Sequence, residues 1–342
     1  MVTFDELINE GYGIRPANMD DLEEAVNLYN ICSHTFLGSD ECRPDEIQQE
    51  WELPAFDLES ATRVVLSPEG SLVGYIEVWD IKDPPVNTYI WGRVHPDWEN
   101  KGIGRAMMAW AENRAREAIS RTPDHARVVM RSFVFSTYPY GVRLLEDADM
   151  RLIRHAYRMR IDLDTQPPPS QWPDGIKLRP FDLDRDAKAV YLAEEDAFQD
   201  HWGHEDEPFE AGFERWLHFA VSNENVYDPD LWYIAMDEDE IAGLAICIPE
   251  SSEDPKMGWV ESIAVRRPWR RRGLALALLH HSFLTFYHRG QESVGLSVDA
   301  SNLTGATRLY EKAGMHVVRR LDNYEKELRP GTDISVQTIS QS

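Results

Sequence analysis

The sequence predicts an α/β (α+β) protein built as two tandem copies of one domain, each a mixed central sheet flanked by helices. Three observations carry this. A β-prone run at 260–265 meets a basic turn with one glycine, Gly273, and a strongly helical run follows at once. Four segments recur in the same order, at similar spacing, in the two halves of the chain. A triple proline, Pro167 to Pro169, separates the halves and favours an extended spacer over helix or interior strand.

In chain order, residues 13–22 read as a first strand ending in a turn, in which Asn18 or Asp20 caps a helix over 22–31, with Leu22, Ala25, Leu28 and Tyr29 on one face. A polar, irregular stretch is expected up to about residue 60. A hairpin then pairs 62–66 with 71–79 around a Pro/Gly turn. A strand at 89–94 feeds a glycine turn ending at Gly102 and Gly104, which opens a helix over 105–119. A strand over 128–135, a helix over 142–148 and a closing strand over 152–161 complete the first half.

The second half answers segment by segment. IKLRPFD at 176–182 matches YGIRPAN at 12–18, and EIAGLAI at 240–246 matches SLVGYIE at 71–77. VRRPWRRRG at 265–273 matches VHPDWENKG at 94–102, and ATRLYEKAGM at 306–315 matches GVRLLEDADM at 141–150. A repeat this long is a duplicated domain, since solenoid units are far shorter. The expected division is 1–165, a spacer at 166–174, a second domain at 175–330 and a polar tail at 331–342. The crossover in each half should be right-handed, with its two strands parallel.

Composition narrows the function. A formal charge of −25 argues against general nucleic-acid binding and against an anionic membrane surface. It is compatible with a cationic small substrate. The three cysteines, Cys32, Cys42 and Cys247, lack metal or redox spacing and fit a reducing cytoplasm. The N-terminal residues lack the basic and apolar regions of a signal peptide, and no apolar run approaches the ~20 residues of a membrane span. His201 and His204 have neither cysteine partners nor helical spacing, so no metal is expected.

Locally, the turn at 270–273 reads as a phosphate cradle or as an ordinary basic turn capping a helix. It places Arg270, Arg271 and Arg272 and backbone N–H groups at the start of a helix, where the dipole favours an anion. Gly273 allows close approach because it has no Cβ. The turn has neither the Gly-Lys-Ser/Thr of a Walker loop nor a dinucleotide fingerprint. Downstream, a strand at 293–298 leads to Asn302 at a helix start, then to Tyr310 and Gly314.

Arg270-x-x-Gly273-x-Ala275, followed about thirty residues later by strand, Asn302 and Leu-Tyr310-Glu-Lys-x-Gly314, resembles the two signature regions of the Gcn5-related N-acetyltransferases. The tandem arrangement resembles the mycothiol synthase type. The resemblance implies two acyl-CoA N-acyltransferase domains and direct transfer of an acetyl group from acetyl-CoA to an amine. It places the co-substrate on Ile263, Ala264, Val265, Arg270, Arg271, Arg272, Gly273, Leu274, Ala275 and Asn302. A backbone N–H of the strand ending Ile263-Ala264-Val265 would meet the oxyanion. Tyr310 aligns with the tyrosine that protonates the departing thiolate, and Glu261 is the candidate base. A packing tyrosine and a solvated strand glutamate are the plainer readings of these two.

Asp200, His201 and Trp202, in an acidic insert, could hold a cationic or amino-sugar-like acceptor, or form a solvated charge run. In the first half, Glu99 stands where Arg270 stands, Leu145 where Tyr310 stands and Asp149 where Gly314 stands. Leucine donates no proton, so catalysis is expected in the second half alone. The expected protein is an acetyl-CoA-dependent N-acetyltransferase of a small primary amine, cytoplasmic, monomeric or homodimeric. The alternatives are a protein N-terminal or lysine acetyltransferase and a non-catalytic acyl-CoA-binding regulator.

Overall fold

The computed structural model describes residues 2–301 and 305–336. The chain divides into two compact units, Met1–His155 with Arg320–Ile334, and Ala156–Arg319 with the residues from Ser335 on. Each is an α/β unit of its own.

The first unit comprises α1 (Phe4–Asn9), β1 (Gly13–Arg15), α2 (Leu22–Phe36), α3 (Pro44–Trp51), α4 (Leu58–Ala61), β2 (Thr62–Leu66), β3 (Leu72–Trp79), β4 (Asn87–Val94), α5 (Ile103–Glu117), β5 (Val128–Phe135) and α6 (Pro139–Asp147). Strands β1 to β4 pair antiparallel in sequence order. Strands β4 and β5 are parallel, joined through α5 as the crossover. Two helices, α3 and α4, fall in the stretch expected to be irregular. The short amphipathic repeat of α3 buries Ile47 and Trp51, and Pro44 pre-sets its first turn. The core gathers Val65, Ile76, Ile90, Met107 and Met130 around α5.

The next strand, β6 (Arg151–Asp162), starts in the first unit and passes into the second at Ala156. The second unit continues with β7 (Ile176–Pro180), α7 (Leu183–Phe198), α8 (Phe209–Val221), β8 (Trp232–Asp237), β9 (Glu240–Ile248), β10 (Met257–Val265), α9 (Leu274–His288), β11 (Ser293–Asp299), α10 (Ala306–Lys312) and β12 (His316–Arg329). Strands β7 to β10 are antiparallel neighbours, and β10 and β11 are parallel across α9. Leu244, Ala264, Leu278, Phe283, Phe286 and Val294 fill the core.

The contiguous division at 166–174 differs from these units. Ala156 to Asp162 of β6 pair with β11 in the second unit, while Leu321 to Arg329 of β12 pair with β5 in the first. Duplicated halves present equivalent open edges beside β5 and β11. Strand periodicity shows that 152–161 is a strand but not which edge it completes. The spacer is also not bare, since Trp172 packs on the second core with its ring 5.8 Å from His281. The described part of the tail is anchored too. Thr332 exchanges backbone hydrogen bonds with His125 and Arg127, and Val336 with Gly203 and His204.

Candidate active site

The cradle forms as expected from its residue types. Strand β10 ends in a single 3-10 turn, Arg267–Trp269, and the backbone then adopts left-handed values at Arg271 (φ 62°) and Gly273 (φ 91°). Gly273 caps α9 without a side-chain hydrogen bond, and the first helical bond runs from the Ala277 N–H to the Gly273 carbonyl at 3.1 Å. The N–H groups of Leu274, Ala275 and Leu276 therefore point out of the helix end. Among the described residues, no heavy atom beyond its own chain neighbours and helix backbone lies within 4 Å of where a Cβ on Gly273 would stand. An anion can reach this turn, so it fits the diphosphate of an acyl-CoA.

Of the three arginines, Arg270 turns inward. Its Nη1 and Nη2 donate to Asp200 Oδ2 and Oδ1 at 2.6 and 3.0 Å, its Nη2 also donates to the Ala197 carbonyl at 2.7 Å, and its Nε donates to Val265 O at 3.1 Å. Arg272 is exposed, with Asp237 at 3.6 Å, and Arg271 is exposed. The Arg270 guanidinium braces the turn, and the carboxylate of Asp200 is held in that brace. Hydrogen bonding to Arg270 holds the Asp200 carboxyl below its usual range, so the pair stays ionised.

Beside the cradle the sheet opens. Strands β10 and β11 pair only from Met257 to Trp259, so the rest of β10 has a free side. The Arg266 N–H donates to Ala242 O across β9. By antiparallel alternation, Ala264 then faces β9, while the N–H groups of Ile263 and Val265 face the opening. These two are positioned to meet an oxyanion.

A β-bulge breaks the β9/β10 register between Val260 and Ser262. Glu261 is the extra residue, and it projects as an exposed side chain whose Oε2 accepts from Trp259 Nε1 at 3.0 Å. Tyr310 lies on α10, half-buried against the second core, and burial pushes its phenol up to about 12. It is a protonated donor at neutral pH. Asn302 lies outside the described residues.

His201 and Trp202 sit in a turn after α7, both half-buried. The His201 ring meets Phe198 edge-on at 4.7 Å, and burial lowers its proton affinity, so it is neutral near pH 7. One carboxyl missed by the motif reading stands nearby. Glu194 on α7 accepts from Trp216 Nε1 at 2.8 Å, and the buried Ser262 hydroxyl of β10 lies beside it. Desolvation, and then the charge of Glu261, raise its proton affinity. A signal was present: Glu194 interrupts the apolar stripe of Val190, Ala193 and Ala197.

The first unit repeats the scaffold. Asn100 and Gly102 are left-handed, and β4 parts from β5 after Tyr89. An opening of about 550 Å³ remains there, with Gly104, Met107, Leu144 and Leu145 among its walls. Its polar features differ. Strand β4 keeps an unbroken register with β3 from Tyr89 to Val94, so no residue matches Glu261. Arg93 stands at the place of Ala264, locked to Glu41 by hydrogen bonds of 2.8 and 2.7 Å. Val2 lies 3.1 Å from where a Cβ on Gly102 would stand, and the Tyr140 hydroxyl lies 2.6 Å from that point on Gly104.

The sequence matches the acetyltransferase (GNAT) family over residues 25–125 and 187–315, one stretch in each half. It is 26% identical to a mycothiol acetyltransferase of Thermobispora bispora over 263 residues, 75% of this chain and 80% of that protein. The fold resembles the crystal structure of a GCN5-related N-acetyltransferase from Sphaerobacter thermophilus, with a TM-score of 0.77 and 34% identity, covering 96% of this chain and 99% of that one. A tandem GNAT protein from the clavulanic acid biosynthesis pathway shares the fold at a TM-score of 0.69 and 17% identity, covering 94% of this chain and all of that one.

Proposed function

Because the chain belongs to the acetyltransferase (GNAT) family, we propose that its second unit transfers the acetyl group of acetyl-CoA to the primary amine of a small, cationic or amino-sugar-like acceptor by direct attack. The observation that carries this reading is the bulge at Glu261, which sets a carboxylate on the open edge of β10 in the second unit and has no counterpart in β4. The mycothiol acetyltransferase relatives support a small-molecule acceptor.

The α9 N-terminus and the turn at 270–273 hold the diphosphate of the co-substrate, which supplies an activated acetyl thioester. Glu261 takes a proton from the acceptor ammonium, freeing the lone pair that attacks. The N–H groups of Ile263 and Val265 receive the negative charge that develops on the carbonyl oxygen. Tyr310 gives its proton to the sulfur as the C–S bond breaks and regains one as the new amide nitrogen sheds its second proton, so one proton is released per turnover.

With the phenol near 12, complete transfer to a thiolate near ~8.5 would be uphill by on the order of 5 kcal/mol. The donation therefore accompanies bond cleavage and does not precede it. Thiol release from acetyl-CoA over a panel of primary amines tests the reading. Wild-type protein is expected to turn over at least one amine, and Tyr310→Phe to fall by roughly 10²- to 10⁴-fold. Normal turnover by Tyr310→Phe would remove the second unit as the site of chemistry. Acetyl-CoA binding with no release on any amine would favour an acyl-CoA-binding regulator.

A further inference from the structure

Among the described residues, Glu194 is a carboxylate without a cation partner. Its Oε2 accepts from the neutral Trp216 indole of α8, the residue is half-buried, and Ser262 of β10 and the charges of Glu261 and Glu195 bear on it. Other desolvated acids of this unit are matched, as Asp200 is to Arg270 and Asp186 to Arg179 and Arg185. A desolvated carboxylate facing a second one is costly unless a positive charge joins them.

The first unit shows which charge is missing. Val94 pairs with Gly74 as Val265 pairs with Gly243, so Arg93 and Ala264 hold the same place on their strands. The ion pairs Arg15–Asp21 and Arg179–Asp186 open α2 and α7 alike, and eight residues beyond each aspartate stand Tyr29 and Glu194. In the first unit the Arg93 guanidinium lies 5.0 Å from the Tyr29 ring centroid and is clasped by Glu41. There the chain supplies its own cation to this spot. In the second unit the small Ala264 supplies none, and the Glu194 carboxylate meets the charge of Glu261 instead.

We propose that Glu194, together with Glu261, seats the ammonium group of the acceptor, making Glu194 the residue that selects a cationic amine over a neutral molecule of the same shape. The proposal rests on the reading that the second unit carries the chemistry. Glu194 is a binding group: it holds the ammonium while Glu261, on the exposed bulge, accepts the proton. The indoles of Trp216 and Trp259 each fix one oxygen of the two carboxylates.

Calorimetric titration of the full chain, saturated with CoA, tests the seat with two matched pairs: glucosamine against glucose, and phenethylamine against 2-phenylethanol. Wild-type protein is expected to bind at least one amine and to prefer it over its neutral partner. Glu194→Gln is expected to weaken the amine by roughly ten- to a hundredfold, as for a hydrogen bond to a charged group, with the neutral partner and CoA unchanged. Glu194→Asp, which keeps the charge, should recover part of the loss. An unchanged amine preference in Glu194→Gln overturns the proposal, as does wild-type protein that binds neither amine. A loss of CoA affinity equal to the loss of amine affinity in both Glu194 variants assigns Glu194 to packing, and overturns it too. Glu194 is read in binding and Tyr310→Phe in turnover, so the seat and the site of chemistry fail separately.

Discussion

Asn100 and Gly102 sit at φ 61° and 89°, and Arg271 and Gly273 at 62° and 91°, so the turn that opens α5 and the turn that opens α9 are one backbone carrying different side chains. Asparagine tolerates the left-handed region better than arginine does. The strain is therefore greater in the second unit, where the turn is also the more open. In the first unit Val2 and Tyr140 crowd the glycines, and the Tyr138 hydroxyl donates to Glu99 at 3.2 Å. The same division runs through the sheet. Both parallel pairs part after three residues, but only β10 carries the bulge that lifts out Glu261. Duplication preserved the frame of the site twice, with Glu261 and Tyr310 in the second copy and, at the matching places of the first, no bulge residue and Leu145.

The strongest way to break this contrast is to empty the filled copy. Arg93→Ala leaves Glu41 unpaired in the first unit and is expected to destabilise the protein by about 3–5 kcal/mol, the usual loss on removing one partner of a buried pair. Turnover per folded molecule should stay at the wild-type value. Denaturant unfolding measures the first quantity and thiol release the second, and a parallel loss of turnover would give the first unit a part in the chemistry.

The paired glycines sharpen it. Gly273→Ala and Gly102→Ala both force alanine into a left-handed conformation, each costing roughly 1–2 kcal/mol. Only Gly273→Ala is expected to weaken acetyl-CoA, by about tenfold or more, since its Cβ would enter the open approach to the α9 terminus. Wild-type protein should take up one tight equivalent of acetyl-CoA per chain. A second tight equivalent, lost in Gly102→Ala, would show that the crowded turn still binds.

The smallest effect separates the two ion pairs at the unit starts. Burial opposes ionisation of Asp186, but hydrogen bonds from Arg185 and Arg179 outweigh it and hold the carboxyl well below its usual range. Asp21 is lowered with one arginine, Arg15. A depressed folded value gives stability that is present above the unfolded value near ~3.9 and is lost as pH falls through the folded one. Asp186→Asn should therefore cost roughly 1–2 kcal/mol at pH 6, and Asp21→Asn less. Both differences should shrink in thermal melts as pH falls below about 4 and close only once it has passed each folded value. Equal losses for the two variants would mean that the second arginine adds nothing.

Local chemistry was legible in the residues themselves. Gly102 and Gly273, helical runs after them and β-prone runs before them specify strand, turn and helix, because a left-handed turn and a helix start depend on a few neighbouring residues. The repeat doubled that information and marked Leu145 as unable to replace Tyr310. Tertiary structure decided the rest. Whether Asp200 meets a ligand or Arg270 depends on a partner seventy residues away. The stripe of α7 flags Glu194 as unusual, but only the fold sets it against Trp216 and Ser262. The bulge at Glu261 exists only relative to the register of β9, and the exchange of closing strands only relative to the edges of β5 and β11. Periodicity is a property of one segment, whereas register, pairing and burial belong to two segments brought together, and the sequence of either one alone does not contain them.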